Sequence, residues 1–264
     1  MGGVSDREPK ARRRPALAEA IAILRGLYGK PEPPAVTDPF QQILWENVAY
    51  LTSDAKRAEA FAMLEQNVGL EPKRILAAPL STLQQIGRKA ILPSGTAAKL
   101  YQIAEIALEE FGGTLRPILK LPLKNAKNAL RKFPSIGEPA AEKILLFARA
   151  HPVLGLDSNG LRPLLRLGFG REERNYAASY HSAQEAVAPE LPRDFDSLIE
   201  AAQLLRRHGQ ELCKRSHPRC EACPLRGRCA YAQAAGTEPT RSRPTGSRRR
   251  REIVRSRRPA PHPK

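Results

Sequence analysis

Four cysteines, the only four in a chain of 264 residues, stand close together near its C-terminal end: Cys213, Cys220, Cys223 and Cys229, spaced C-x6-C-x2-C-x5-C. No stretch approaches the roughly 18 to 20 apolar residues of a membrane span, and no charged-then-apolar leader is present. The expectation is therefore a soluble, intracellular protein, cytoplasmic and nucleoid-associated in a prokaryote. Thiols stay reduced in that compartment, and a C-x2-C pair closes too small a loop for a comfortable disulfide, so the four read as ligands to one soft metal centre. Zinc knuckles usually pair their cysteines as two short hooks, whereas only one hook exists here, between two wider gaps. That arrangement suits the larger span of a cubane iron–sulfur cluster better than a single zinc, which remains the alternative.

Charge points to an acidic partner. Lysine and arginine total 44 against 27 aspartates and glutamates, a net +17. About half of the excess lies in residues 241–264, which hold ten basic residues against one acidic and almost nothing to bury. That tail reads as disordered, either a solubilising extension or an arm that grips phosphates nonspecifically. Residues 1–14, with Lys10 and Arg12 to Arg14, read similarly.

Between the tails, apolar residues recur at helical spacing. Leu17, Ile21, Leu24 and Tyr28 form one stripe, stopped by a proline-rich segment, and Thr37-Asp38-Pro39 is a cap that opens a helix over 39–51. Further periodicity predicts helices near 54–67, 80–87, 95–111, 122–132, 138–150, 158–167 and 195–213. Few runs are β-branched with period two, so the fold class is all-α, large enough for two lobes. The most informative junction is residues 122–148, where a helix expected to end at Phe133 is followed by the tight turn Pro134-Ser135-Ile136-Gly137, and Glu138-Pro139 opens the next helix. Backbone amides of such a turn, with those of the following helix N-terminus, can hold a phosphate oxygen without reading a base.

This hairpin, the aspartate about twenty residues on in Leu156-Asp157-Ser158-Asn159, and the cysteine pattern followed by Pro224-Leu225 together resemble the endonuclease III superfamily of helix-hairpin-helix DNA glycosylases. The resemblance covers roughly residues 16–231. It implies a six-helix barrel over 37–150 and a second lobe made of 16–36 with 151–232, holding a four-iron four-sulfur cluster, with double-stranded DNA crossing between them. The loop pinned between Cys213 and Cys220 carries Lys214, Arg215 and Arg219, which suit phosphate contacts or are simply solvated. The implied partner is duplex DNA bound by a monomer, with no membrane and no small-molecule substrate.

The resemblance also assigns chemistry. Asp157 matches the family's catalytic aspartate, which stabilises a sugar cation and orients water, although an aspartate before a helix is also an N-cap. Glu46 matches the glutamate that protonates the departing base in the mismatch adenine glycosylase branch, and Asn159 an asparagine of that branch; a solvated helix residue is the plain alternative for Glu46. Pro139 stands where bifunctional members carry the Schiff-base lysine, which implies a monofunctional glycosylase that leaves the abasic site uncut. Lys143, one turn on, reads as a surface or interlobe cation. Leu51 stands where the family inserts polar residues into the base stack, and serves either as an apolar wedge or as a core leucine. No room follows Cys229 for the domain that recognises oxidised guanine, so adenine specificity is not implied. The alternatives are a bifunctional glycosylase and lyase for oxidised pyrimidines, and a DNA-binding protein without catalysis.

Overall fold

The computed structural model describes residues 14–49, 52–88 and 93–237. Leu51, residues 1–13 and residues 238–264 fall outside the described residues. All regular structure among the described residues is helical.

Helix α1 (Leu17–Tyr28) buries Leu17, Ile21 and Leu24 and ends at Gly29, whose φ of 77° lies in the left-handed region that glycine tolerates. Helix α2 (Pro39–Val48) starts as its sequence dictates: the Asp38 carboxylate accepts from the amides of Phe40 and Gln41, and Pro39 fills the first turn. Helices α3 (Asp54–Asn67), α4 (Pro72–Ala77), α5 (Leu80–Gly87), α6 (Pro93–Phe111), α7 (Leu123–Leu130) and α8 (Glu138–Phe147) complete the first lobe. Their apolar faces close on one core that includes Ile43, Leu44, Leu64, Leu100, Ile103 and Ile144, all fully buried.

The second lobe gathers α9 (Ser158–Leu167), α10 (Tyr176–Val187), α11 (Phe195–Glu211) and α12 (Ala230–Thr237) around α1. Its core contains Leu17, Leu24, Leu164, Phe169, Tyr180, Leu198 and Leu205. Helix α8 serves both lobes, because Ile144 and Leu145 enter the first core while the next residue, Leu146, enters the second.

Close backbone approaches fix the packing on either side of Asp157, one between the lobes and one within the second lobe. A Cβ on Gly155 would lie 2.2 Å from the Lys143 nitrogen, so the strap leading to Asp157 is pressed onto α8. A Cβ on Gly209 would lie 2.0 Å from the Asn159 carbonyl oxygen, so α11 crosses α9 in its first turn. That crossing meets a carbonyl with no helical donor, since Pro163, four residues on, has no N–H. A buried polar link adds to these contacts. Glu142 of α8 accepts from the Tyr180 hydroxyl at 2.5 Å and from Lys127 at 2.9 Å, so its charge is neutralised where water is excluded.

Three helices lie outside the ranges read from periodicity: α4, α10 and α12. Helix α10 (YAASYHSAQEAV) is dominated by alanine and serine, which give a weak apolar stripe; its clear signal was the Asn175 cap, which accepts from the Ala178 amide. Helix α7 stops at Leu130 rather than Phe133, because the chain turns there to bury Phe133 in the core.

Candidate functional site

Asp157 sits where the two lobes join. One carboxylate oxygen caps α9, accepting from the Asn159 and Gly160 amides at 2.9 Å each. The other accepts from Arg206 Nε of α11 at 2.7 Å. An ionised carboxylate offers about four lone-pair sites, so roughly one is left for a substrate or a water. The same guanidinium reaches across to the first lobe, donating to the two oxygens of Asp54 at 2.8 and 2.6 Å, and Gln210 adds a bond of 3.0 Å to Asp54. Two carboxylates around one guanidinium leave the group with one net negative charge.

The electrostatics follow this geometry. The Arg206 hydrogen bond, first among the causes, holds Asp54 down at about 2 against the opposing effect of burial. For Arg206, burial alone would lower the pKa; the hydrogen bonds and charges of Asp54 and Asp157 outweigh it, and the pKa is raised.

Glu46 is not a solvated helix residue. Its side chain is 19% exposed and accepts a 2.6 Å hydrogen bond from Lys143 Nζ, itself 14% exposed. This pair lines a cavity of about 250 Å³ between the lobes, walled by Trp45 and Phe147 and bordered by Asp54 and Arg206. Asp157 does not line that cavity but is tied to it through Arg206. Asn159 faces elsewhere: it lines a larger groove of about 770 Å³ with Tyr176, Lys214 and Arg215, and its amide oxygen accepts from Arg162 at 3.0 Å. The three residues expected together are therefore split between a cavity, a junction and a groove.

The hairpin turn keeps its expected shape at some conformational cost. Ser135 adopts a φ of 60°, unfavourable for a side chain with a Cβ, and its hydroxyl accepts from Lys99 at 3.1 Å. Ile136 is buried and its N–H already donates to the Phe133 carbonyl, while the Pro134 carbonyl accepts from Asn47. Of the four turn residues, Ser135 and Gly137 keep amides for a ligand. Gly137 caps α8, with Pro139 in its first turn.

The four cysteines line one apolar cavity together with Leu167, His208, Leu225 and the cations Arg166, Arg219 and Arg226; no carboxylate lines it. Burial raises the Cys213 and Cys223 thiols, and for Cys223 the other three cysteines add to that effect. Four soft donors in an apolar setting, with cations to offset thiolate charge, fit a soft metal centre. Among the described residues, no three His, Cys, Asp or Glu side chains gather closely enough to hold a single ion, so the thiols ring the cavity rather than converge on a point.

Two arginines that the sequence did not single out couple this cavity to Asp157. Arg162 of α9 donates to the carbonyls of Cys213 and Gly209, each at 2.7 Å. One turn on, Arg166 donates to Cys213 Sγ at 3.4 Å and to the Lys214 carbonyl at 2.8 Å, while its own carbonyl accepts from Cys229 Sγ. Their spacing of four, starting five residues after Asp157, was the available signal. Arg206 and Asp54 gave none, because each reads as an ordinary helix charge.

The fold has known counterparts. Superposition on an endonuclease III trapped on DNA as a covalent intermediate gives a TM-score of 0.66, covering 83% of this chain and 97% of that one at 18% identity. The chain is similar to endonuclease III and shares its fold. The fold also matches a thermostable thymine-DNA glycosylase, with a TM-score of 0.65 over 83% of this chain and 95% of that one, again at 18% identity. In sequence, the endonuclease III of Thermotoga maritima is 24% identical over 207 residues, 78% of this chain and 90% of that protein. A thymine-DNA glycosylase of Aeropyrum pernix is 23% identical over 160 residues, 61% of this chain and 68% of that protein. No protein-family model matches.

Proposed function

We propose that this protein is a monofunctional DNA N-glycosylase that removes a damaged or mismatched base and leaves the abasic site intact. The observation that carries the reading is the fixed placement of Asp157, held by two helix amides and Arg206 at the junction of the lobes. Breaking an N-glycosidic bond builds positive charge on the sugar, and a preorganised group with one net negative charge stabilises that charge without reorganising. The open lone pair of Asp157 is suited to orient the attacking water. Glu46 faces the interlobe cavity from which the base would leave, and because Lys143 already donates to its carboxylate, the proton for the departing base would pass from the Lys143 ammonium, with Glu46 holding that ammonium in position.

The monofunctional assignment rests on amines. Pro139 has none, and Lys143 is engaged in an ion pair with Glu46. Duplex DNA would lie across the hairpin turn, with Ser135 and Gly137 amides on one phosphate and Lys214, Arg215 and Arg219 on others. Cys213, Cys220, Cys223 and Cys229 would hold a four-iron four-sulfur cluster, which when bound keeps that basic loop in place. The lobes then correspond to residues 37–150 and to 16–36 with 151–232.

Incubation with a duplex carrying a suitable lesion tests the assignment. Strand cleavage is expected only after alkali, with little covalent product on borohydride treatment. Cleavage without alkali together with strong trapping, lost in Lys143→Met, would show that Lys143 forms a Schiff base and that the enzyme is bifunctional.

A further inference from the structure

The interlobe cavity carries information about which bases it accepts. A lone carboxylate in a partly buried pocket would favour cationic bases, such as those alkylated on a ring nitrogen. Here the carboxylate of Glu46 is answered by the ammonium of Lys143 at 2.6 Å, and the pair faces a cavity walled by Trp45 and Phe147. Trp45 is braced edge-on by Phe61, with ring centroids 5.3 Å apart and planes at 67°, so it is a fixed flat wall. An ammonium only donates and a carboxylate only accepts. Side by side they match a planar ring that presents an acceptor next to an N–H.

Resting on the glycosylase reading above, we infer that Lys143 and Glu46 together select neutral bases with an adjacent acceptor and N–H on the hydrogen-bonding edge, as in uracil, thymine, hypoxanthine and their oxidised relatives. They reject two classes. A cationic alkylated base meets Lys143 as a like charge in a site where screening is weak. An etheno-adduct has lost its edge N–H, so Glu46 would be desolvated without a donor. Lys143 is thus a specificity residue: it neutralises Glu46, and with Asp54, Arg57 and Arg206 also lining the cavity the walls carry three cations against two carboxylates, which adds to the rejection of a cationic base.

The test measures binding separately from cleavage. Duplexes carry a single 2′-fluoro-arabino nucleotide, whose glycosidic bond resists hydrolysis, with uracil, hypoxanthine, 7-methylguanine or 1,N6-ethenoadenine as the base. Wild-type protein is expected to bind the uracil and hypoxanthine duplexes about ten- to a hundredfold more tightly than the other two, the scale of one charge-assisted hydrogen bond. Lys143→Met should narrow or reverse the gap between uracil and 7-methylguanine, and Lys143→Arg should keep it. Should Lys143→Met fold poorly, Glu46→Gln combined with Lys143→Gln retains the packing and should abolish the preference. Equal or reversed binding by the wild type overturns the inference. The expected preference without release of any base from ordinary nucleotides would uphold it while refuting the glycosylase reading; release without preference would do the opposite.

Discussion

The first lobe and the cysteine end of the second are held together by different physics. Helix α2 alone sends Phe40, Ile43, Leu44 and Val48 into a continuous hydrocarbon core, so the barrel is stabilised by burial that each helix carries in its own sequence. From Cys213 to Cys229, by contrast, only Leu225 and Cys229 are buried among core residues. A segment with so little apolar surface to hide does not offset its own ordering entropy by burial; its position rests on the two arginines of α9 and, under the proposal above, on ligation by the four thiols. The lesson is that the barrel carries its own core, whereas the basic loop would be conditional on the proposed cluster, and α9 would link that condition to Asp157.

Removing a thiol should break this contrast most sharply. Cys220→Ser and Cys223→Ser are expected to speed amide hydrogen exchange across 212–232 and the start of α9 while leaving α2 to α6 protected, and to abolish DNA binding. Uniform loss of protection in both lobes would show that the lobes are one cooperative unit. A smaller effect is expected from Arg162→Met, which leaves the Cys213 and Gly209 carbonyls without their charged donor. It should destabilise the second lobe by about 2 kcal/mol in a denaturant melt, the scale for losing hydrogen bonds to a charged group. The barrel should be unaffected.

The smallest expected effect concerns the seam between the regions. Asp54 is held down at about 2 in the folded protein, against an ordinary value of 3.8, chiefly by its hydrogen bond from Arg206. A carboxyl with a depressed folded pKa binds more protons when unfolded. Its contribution is therefore present above about pH 4 and lost as the pH falls toward 2. The loss of stability over that window should be shallower in Asp54→Asn than in the wild type, measured by thermal melts at stepped pH. Parallel curves would mean that the Arg206 bridge does not contribute to the junction.

Much of this was legible in the residues. Capping signals and apolar spacing located most helices, because Asp38 and Asp157 each supply the carboxylate that a helix start requires. The four cysteines were legible as one set, and they do line one cavity. The site was less legible. Sequence spacing places Glu46, Asp157 and Asn159 in their elements but says nothing of how α11 lays Arg206 between Asp157 and Asp54, contacts across 49 and 152 positions set by packing alone. Packing likewise decides between the two readings of Lys143, a surface or an interlobe cation: it lies between the lobes, paired with Glu46.

The central claim is that the Asp157 carboxylate does chemistry beyond capping α9. Single-turnover base release by Asp157→Asn, on a lesion that the wild type processes, tests it directly. Asparagine keeps a side-chain oxygen for the Asn159 and Gly160 amides, so the cap and the fold should survive, as a thermal melt and DNA-binding isotherm would verify. The account predicts that release falls at least about a hundredfold, the scale of losing a catalytic electrostatic or proton-transfer group. Full activity in a folded, DNA-binding Asp157→Asn protein would contradict it and reduce Asp157 to a helix cap.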